Sequence, residues 1–180
     1  MIYKIVSPND YAICNRLLDD LSTYKYPRPD SLVLRNYYFD PDASMFRIHG
    51  CYKDDKLIAC VFIVFSNYDK SWSIEYIVKD SSATIVDVVG LLDYSFDLIE
   101  SGGFNTCYVT YFEQHDKGWE RLLMNRLSTF NRYNITTEAI IPENKRSSFY
   151  KYWRESQKCI IYKRAIKVKM YSLKEQFRIF

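Results

Sequence analysis

The stretch that decides the fold reads Ser71-Trp72-Ser73-Ile74-Glu75-Tyr76-Ile77-Val78-Lys79, then Asp80-Ser81-Ser82-Ala83-Thr84, then a helical segment closed by Gly102-Gly103. The first part is rich in β-branched and aromatic residues and reads as a strand. The middle is small and polar. Ile85, Val88, Leu92, Phe96 and Ile99 then recur at helical spacing until the glycines stop the helix. A strand delivered straight into a helix N-terminus is a common way to hold a phosphate-bearing ligand. The first-turn amides lack partners within the helix and point into the loop.

Upstream of this unit, Met45 to Tyr52 and Lys56 to Ser66 read as a hairpin joined at Lys53-Asp54-Asp55. The run from Leu57 to Phe65 is apolar on both faces, which belongs in the middle of a sheet. Asn67-Tyr68-Asp69-Lys70 turns the chain into Ser71, so three strands form an antiparallel meander. Ahead of them come a short strand, Ile2 to Val6, and a helix opened by Ser7-Pro8-Asn9-Asp10. Ser7 is the expected N-cap, and Cys14, Leu17, Leu18 and Leu21 the buried face. Pro27 and Pro29 end that helix, and Asp30 to Asn36 carries a weak pattern for a second.

Downstream, the pattern predicts a strand from Phe104 to Phe112 and an amphipathic helix with Trp119, Leu122, Leu123, Leu127 and Phe130. A strand from Asn134 to Ile141, a turn at Pro142-Glu143-Asn144 and a short helix at Phe149-Tyr150-Trp153 follow. The closing strand, Cys159 to Met170, puts Lys163, Lys167 and Lys169 on one face and Tyr162, Ile166, Val168 and Met170 on the other. Those lysines read as guards of an outer strand against edge pairing. Strands first and alternating elements later describe one mixed α/β (α+β) layer structure. The expected organisation is a single domain over residues 1–180: strand-rich 1–80, alternating helix and strand 81–142, and a basic segment 143–180.

With 48% hydrophobic and 17% aromatic residues the chain can bury a core, which excludes a disordered protein. Its 17 tyrosines read chiefly as compositional bias. Cysteines at 14, 51, 60, 107 and 159 are odd in number and form no CxxC, the usage of reduced, buried thiols in a cytoplasmic protein. The start lacks a signal-peptide apolar core, and Leu57 to Phe65 is too short to span a bilayer, so no membrane partner is expected. Net charge is +3, but Lys145 to Phe180 holds eleven Lys/Arg against Glu155 and Glu175, a balance of +9 against −6 elsewhere. That asymmetry points to an acidic partner.

The order of elements resembles the GNAT acetyltransferase superfamily over nearly the whole chain. Its best local piece is Ile74-Glu75-Tyr76-Ile77-Val78-Lys79-Asp80, similar to that family's central strand, in which a glutamate precedes an apolar run and an aspartate leads into the pyrophosphate loop. The resemblance implies a central mixed, mostly antiparallel sheet flanked by helices, with acetyl-CoA as substrate and an amine as acceptor. It implies Glu75 as general base and the backbone of Ile77 and Lys79 as the groups that hold the pantetheine arm. A base takes a proton from the amine, the amine attacks the thioester, and an acid protonates the departing thiolate.

The loop departs from the family. Its signature, Q/R-x-x-G-x-G/A, falls on Ala83-Thr84-Ile85-Val86-Asp87-Val88, which has neither glycine nor the leading Gln or Arg. Asp80 and Asp87 would repel a pyrophosphate, while both suit a helix start. The family's tyrosine acid falls at Leu122. A competing register puts the loop at Gln114-His115-Asp116-Lys117-Gly118-Trp119 and the acid at Tyr150, leaving Ser71–Gly103 as surplus. The closing stretch, Ile141 through Leu173, also resembles GNAT-like proteins of tailed phages, which implies host cytoplasm or virion as location.

His49 and His115 form no HxxxH or H-x-E spacing, so no metal site is expected. Cys107 lies in an apolar strand, unsuited to a Cys–His nucleophile. The basic C-terminal third interleaves charge with Phe149, Tyr150, Tyr152, Trp153, Tyr162 and Tyr171, a mixture nucleic acids favour. Two readings stay open: an acyl-CoA-dependent N-acyltransferase, and an inactive GNAT-shaped binding or assembly protein that meets an acidic partner through its basic C-terminal face.

Overall fold

Strands that are apolar on both faces must be covered on both sides, and two amphipathic helices do so here. The protein is described by a computed structural model over residues 1–23, 46–66, 71–112, 125–126, 133–140, 151–154 and 159–170. The strands are β1 (Ile2–Ile5), β2 (Phe46–Lys53), β3 (Lys56–Ser66), β4 (Ser71–Lys79), β5 (Thr106–Phe112), β6 (Tyr133–Ile140), β7 (Lys151–Arg154) and β8 (Cys159–Met170). The sheet runs β1-β2-β3-β4-β5-β8-β6, and β7 pairs with β8 off that path. Every pairing among the described strands is antiparallel except β4 with β5, which is parallel. This is the mixed, mostly antiparallel sheet expected from the sequence.

The meander β2-β3-β4 forms as read. Its first turn is Asp54-Asp55, with φ of 50° and 61°. A two-residue hairpin favours positive φ at both positions because that twist matches the strands, and Asp tolerates it. Leu57 to Ile63 are all buried. Ala59, Val61 and Ile63 join a core with Val88, Leu91, Leu92, Phe96 and Ile99 of helix α2 (Ile85–Ser101). Cys60 and Phe62 turn the other way, to Cys14, Leu17 and Leu18 of helix α1 (Tyr11–Thr23). Gly102 donates to the Leu98 and Ile99 carbonyls, and Gly103 takes φ of +93°, so the glycines end α2 as expected. Cys14, Cys51, Cys60 and Cys107 are buried and form no disulfide among the described residues.

Ser7 is the N-cap as expected, with Pro8 and Asp10 in the first turn, but it makes no side-chain cap bond and the turn it opens, Pro8–Asp10, is a 3-10 turn leading into α1. The Asp10 carboxylate accepts from the Tyr52 hydroxyl at 2.8 Å, and burial together with that bond raises the Tyr52 pKa. Two expectations need correction. The closing strand is not an outer one, because β8 is flanked by β5 and β6. Its alternation still holds: Val168 and Met170 are buried, Lys169 is exposed. Lastly, Lys151–Arg154 is a strand rather than part of a helix. Its aromatic pair suits a pleated surface, and it adds to the first residues of β8, with Trp153 opposite Ile160. The expected elements at Asp30–Asn36 and Pro142–Asn144 lie outside the described residues, as do His115, Tyr150 and Leu122. Of the Trp119–Phe130 helix, Asn125 and Arg126 are helical and exposed. No helix among the described residues is long and apolar enough to cross a membrane.

Candidate functional site

The unit Ser71–Gly103 supplies β4, the middle strand of the β1-to-β6 path, and α2, while the loop and acid of the competing register, at residues 114–119 and 150, lie outside the described residues. Within β4 the pairing with β3 slips by one residue. Phe62 faces Tyr76 and Ile63 faces Ile74, which leaves Glu75 as the extra residue of a β-bulge. A bulge reverses the side-chain alternation. Trp72 and Ile74 pack into the α2-side core; beyond the bulge Ile77 joins that side, while Tyr76 and Val78 enter the α1-side core. Unbroken alternation would have set Ile74, Tyr76 and Val78 together.

The same point ends the contact with β5. The parallel register runs from Trp72 opposite Cys107 to Ile74 opposite Val109. Beyond these rungs β4 continues to Lys79 and β5 to Phe112 with no further mutual pairing among the described residues. At the closed end Phe65, Trp72 and Phe104 cluster, with ring centroids 5.1 Å and 5.4 Å from Phe65 to Trp72 and to Phe104. A polar cavity of about 400 Å³ near Ser71, Asn105, Tyr108 and Lys167 also belongs to that end, away from Glu75.

At the open end the backbone direction is fixed by one hydrogen bond. The Asp80 N–H donates to the Ile58 carbonyl at 2.9 Å, so Asp80, Val78 and Tyr76 direct their peptide groups at β3. Ile77 and Lys79, opposite Val61 and Ala59, alternate with them and direct theirs to the β5 side. The strand thus presents N–H and C=O groups to a gap where β5 no longer pairs. Ile77 is half-buried; Lys79 is exposed, its Nζ donating to the Asp80 carbonyl at 3.4 Å.

The start of α2 is organised differently. Thr84 Oγ1 accepts from the Asp87 N–H at 3.3 Å, and Asp87 Oδ2 accepts from the Thr84 N–H at 2.8 Å, a reciprocal capping box. Asp80 Oδ1 accepts from the Ser82 N–H at 2.8 Å and from the Ser82 hydroxyl, and Asp80 Oδ2 lies 3.7 Å from Lys56 Nζ. Ala83 and Val88 donate their amides to the Asp80 and Thr84 carbonyls. Burial alone would raise the Asp80 pKa. The Ser82 hydroxyl and amide, the Lys56 charge and the Ala83 amide outweigh it and hold the carboxyl below its usual value. The loop is the self-contained helix cap its sequence suggested.

Behind α2 lies a polar pair that the sequence did not signal. His49 Nδ1 is 2.8 Å from Ser95 Oγ, whose hydroxyl donates to the Leu91 carbonyl at 2.9 Å. That bond pattern assigns the ring proton to Nδ1, and Nε2 is buried with no partner among the described residues. Burial, assisted by the charge of Arg47, lowers the His49 pKa to about 4.

The end of β4 therefore has the edge that an amide-bearing arm needs, and the start of α2 is poor in what a diphosphate needs. An arm with two amides can extend the sheet by hydrogen bonds to a free strand edge. A diphosphate needs unoccupied amides and a surplus of positive charge. Here the amides of Ser82, Ala83, Thr84, Asp87 and Val88 serve the chain itself and leave those of Ile85 and Val86, and among the described residues the Lys56 charge is paired with Asp80.

No protein-family model matches the sequence, and comparison with curated proteins gives no significant match. Solved structures do match. A ribosomal-protein-alanine N-acetyltransferase from Brucella melitensis superposes with a TM-score of 0.67 at 7% identity, over 95% of this chain and 100% of that one. A GNAT-family structure from Desulfovibrio desulfuricans gives 0.63 at 10% identity, covering 93% and 98%. A spermidine N-acetyltransferase chimera from Vibrio cholerae and hSSAT gives 0.60 at 13%, covering 94% and 96%. The chain has the GNAT fold.

Proposed function

We propose that this GNAT-fold protein is an N-acyltransferase that moves an acyl group, acetyl in the simplest case, from a thioester to an amine. The observation that supports this is the parting of β4 from β5 at the Glu75 bulge, which frees the peptide groups of Ile77 and Lys79. Those groups bind the amides of the thioester arm as an added strand would. Glu75 takes a proton from the amine as its nitrogen attacks the thioester carbonyl; the C–S bond then breaks and the thiolate leaves. The amide-forming neighbours act on a protein alanine and on spermidine, so a primary amine is the acceptor class to try first.

The test is thiol release from acetyl thioesters in the presence of an amine panel, with the wild-type chain and with Glu75→Gln. Turnover that disappears in the variant supports the reading; thiol release at equal rates removes Glu75 as the base. A second reading rests on the occupied loop amides: a GNAT-shaped binding or assembly protein without catalysis, meeting an acidic partner through the +9 C-terminal segment. Absence of any thioester binding up to millimolar concentration, together with a salt-dependent acidic partner, establishes that one instead.

A further inference from the structure

The two halves of the site disagree about the ligand, and the disagreement carries information. The strand end offers a thioester arm peptide groups that have no partner among the described residues. The helix start offers a phosphate only the first-turn amides of Ile85 and Val86, since those from Ser82 to Thr84 and at Asp87 and Val88 already donate within the chain. Two carboxylates stand where the negative ligand would lie. Asp80 is tied to Ser82 and Lys56, and Asp87 to Thr84, so admitting a diphosphate means breaking these bonds as well as placing like charges together. Among the described residues the nearby cations give no surplus: Lys56 faces Asp80, and Lys79 donates to the Asp80 carbonyl.

We infer that the acyl donor is a pantetheine-type thioester bound through its arm alone, and that Asp80 and Asp87 select against donors bearing a diphosphate at the start of α2. This rests on the acyltransferase reading above and narrows it. A site of this kind recognises the two amides and the acyl thioester. It is indifferent or hostile to the nucleotide end of acetyl-CoA.

The experiment is isothermal titration of the full chain, without an amine acceptor, against acetyl-pantetheine, acetyl-4′-phosphopantetheine and acetyl-CoA. A site with a working diphosphate cradle loses at least about 100-fold in affinity when the diphosphate is removed, the worth of two charge-assisted hydrogen bonds. Here acetyl-pantetheine is expected to bind as tightly as acetyl-CoA or tighter. In Asp80→Asn/Asp87→Asn, which keeps an oxygen acceptor at each position, acetyl-CoA binding should tighten by about 10-fold while acetyl-pantetheine stays unchanged. Acetyl-CoA binding more than about 10-fold tighter than acetyl-pantetheine to the wild-type chain overturns the inference and leaves the acyltransferase reading intact. Failure of all three ligands to bind at millimolar concentration, with a cooperative melt showing the chain folded, overturns that reading and the inference with it.

Discussion

The end of β4 and the start of α2 are neighbours in sequence, yet they meet the problem of unpaired backbone groups in opposite ways. Past the Glu75 bulge, the peptide groups of Ile77 and Lys79 face a gap from which β5 has withdrawn. A few residues on, the loop closes every amide named above with its own oxygens: Asp80 for Ser82, Asp87 for Thr84, Thr84 for Asp87. Orphan donors and acceptors near the surface either find partners or wait for a ligand. The strand can wait because its other edge is bonded to β3 and its faces are packed by two cores. The loop has no such support and holds itself together.

That contrast says where function and stability should separate. The largest expected effect is on chemistry. Glu75→Gln should slow acyl transfer by about 100-fold to 10,000-fold, the range for losing a general base, with thioester affinity and melting temperature nearly unchanged. Equal loss of binding in a titration would move Glu75 from the chemistry to the architecture of the strand.

Breaking what supports the strand should instead unfold the protein. Phe96 is fully buried between α2 and the sheet, against Tyr133 at 5.2 Å between ring centroids. Phe96→Ala should cost about 3–5 kcal/mol in denaturant unfolding. A loss below about 1 kcal/mol would mean that α2 is not what fixes the sheet.

Acid should act on the same seat. His49 is neutral in the fold, with its pKa lowered to about 4 by burial and then by Arg47. The unfolded chain binds the proton more readily, so stability is full above pH 6.5 and falls as pH drops toward 4. The loss should be about 3 kcal/mol in total, following from about 1.4 kcal/mol per pH unit. His49→Gln should flatten this part of the stability–pH curve, and an unaltered curve would place the acid sensitivity elsewhere.

The smallest effect belongs to the loop. Thr84→Ala removes one half of the capping box and should cost about 1 kcal/mol. Thermal melts should register it without a change in acetyl-pantetheine affinity, because the proposed arm is held by the peptide groups of β4 and not by the cap. A drop in that affinity would join the two regions that the comparison keeps apart.

The sequence alone determined the elements and much of their order. Alternation and helical spacing identified the β2-β3-β4 meander, α2 and its glycine stop, since these signals depend only on which residues must be buried. It also showed that the loop lacks the glycines of a diphosphate cradle, a property of residue type. It misjudged β8, because the same lysine-and-apolar alternation suits an interior strand with one solvated face as well as an outer one. It missed β7, four residues whose state is set by the partner strand they meet. Only the tertiary structure decided the backbone geometry at the end of β4. Read at period two, Glu75, Ile77 and Lys79 share a face; the register slip opposite Phe62 and Ile63 breaks that period at Glu75. A bulge has no reliable mark in composition, because it arises from how two strands and their cores fit together. It sends Ile77 to the α2 side, coincides with the parting of β4 from β5, and leaves the strand open beside a loop that is already closed.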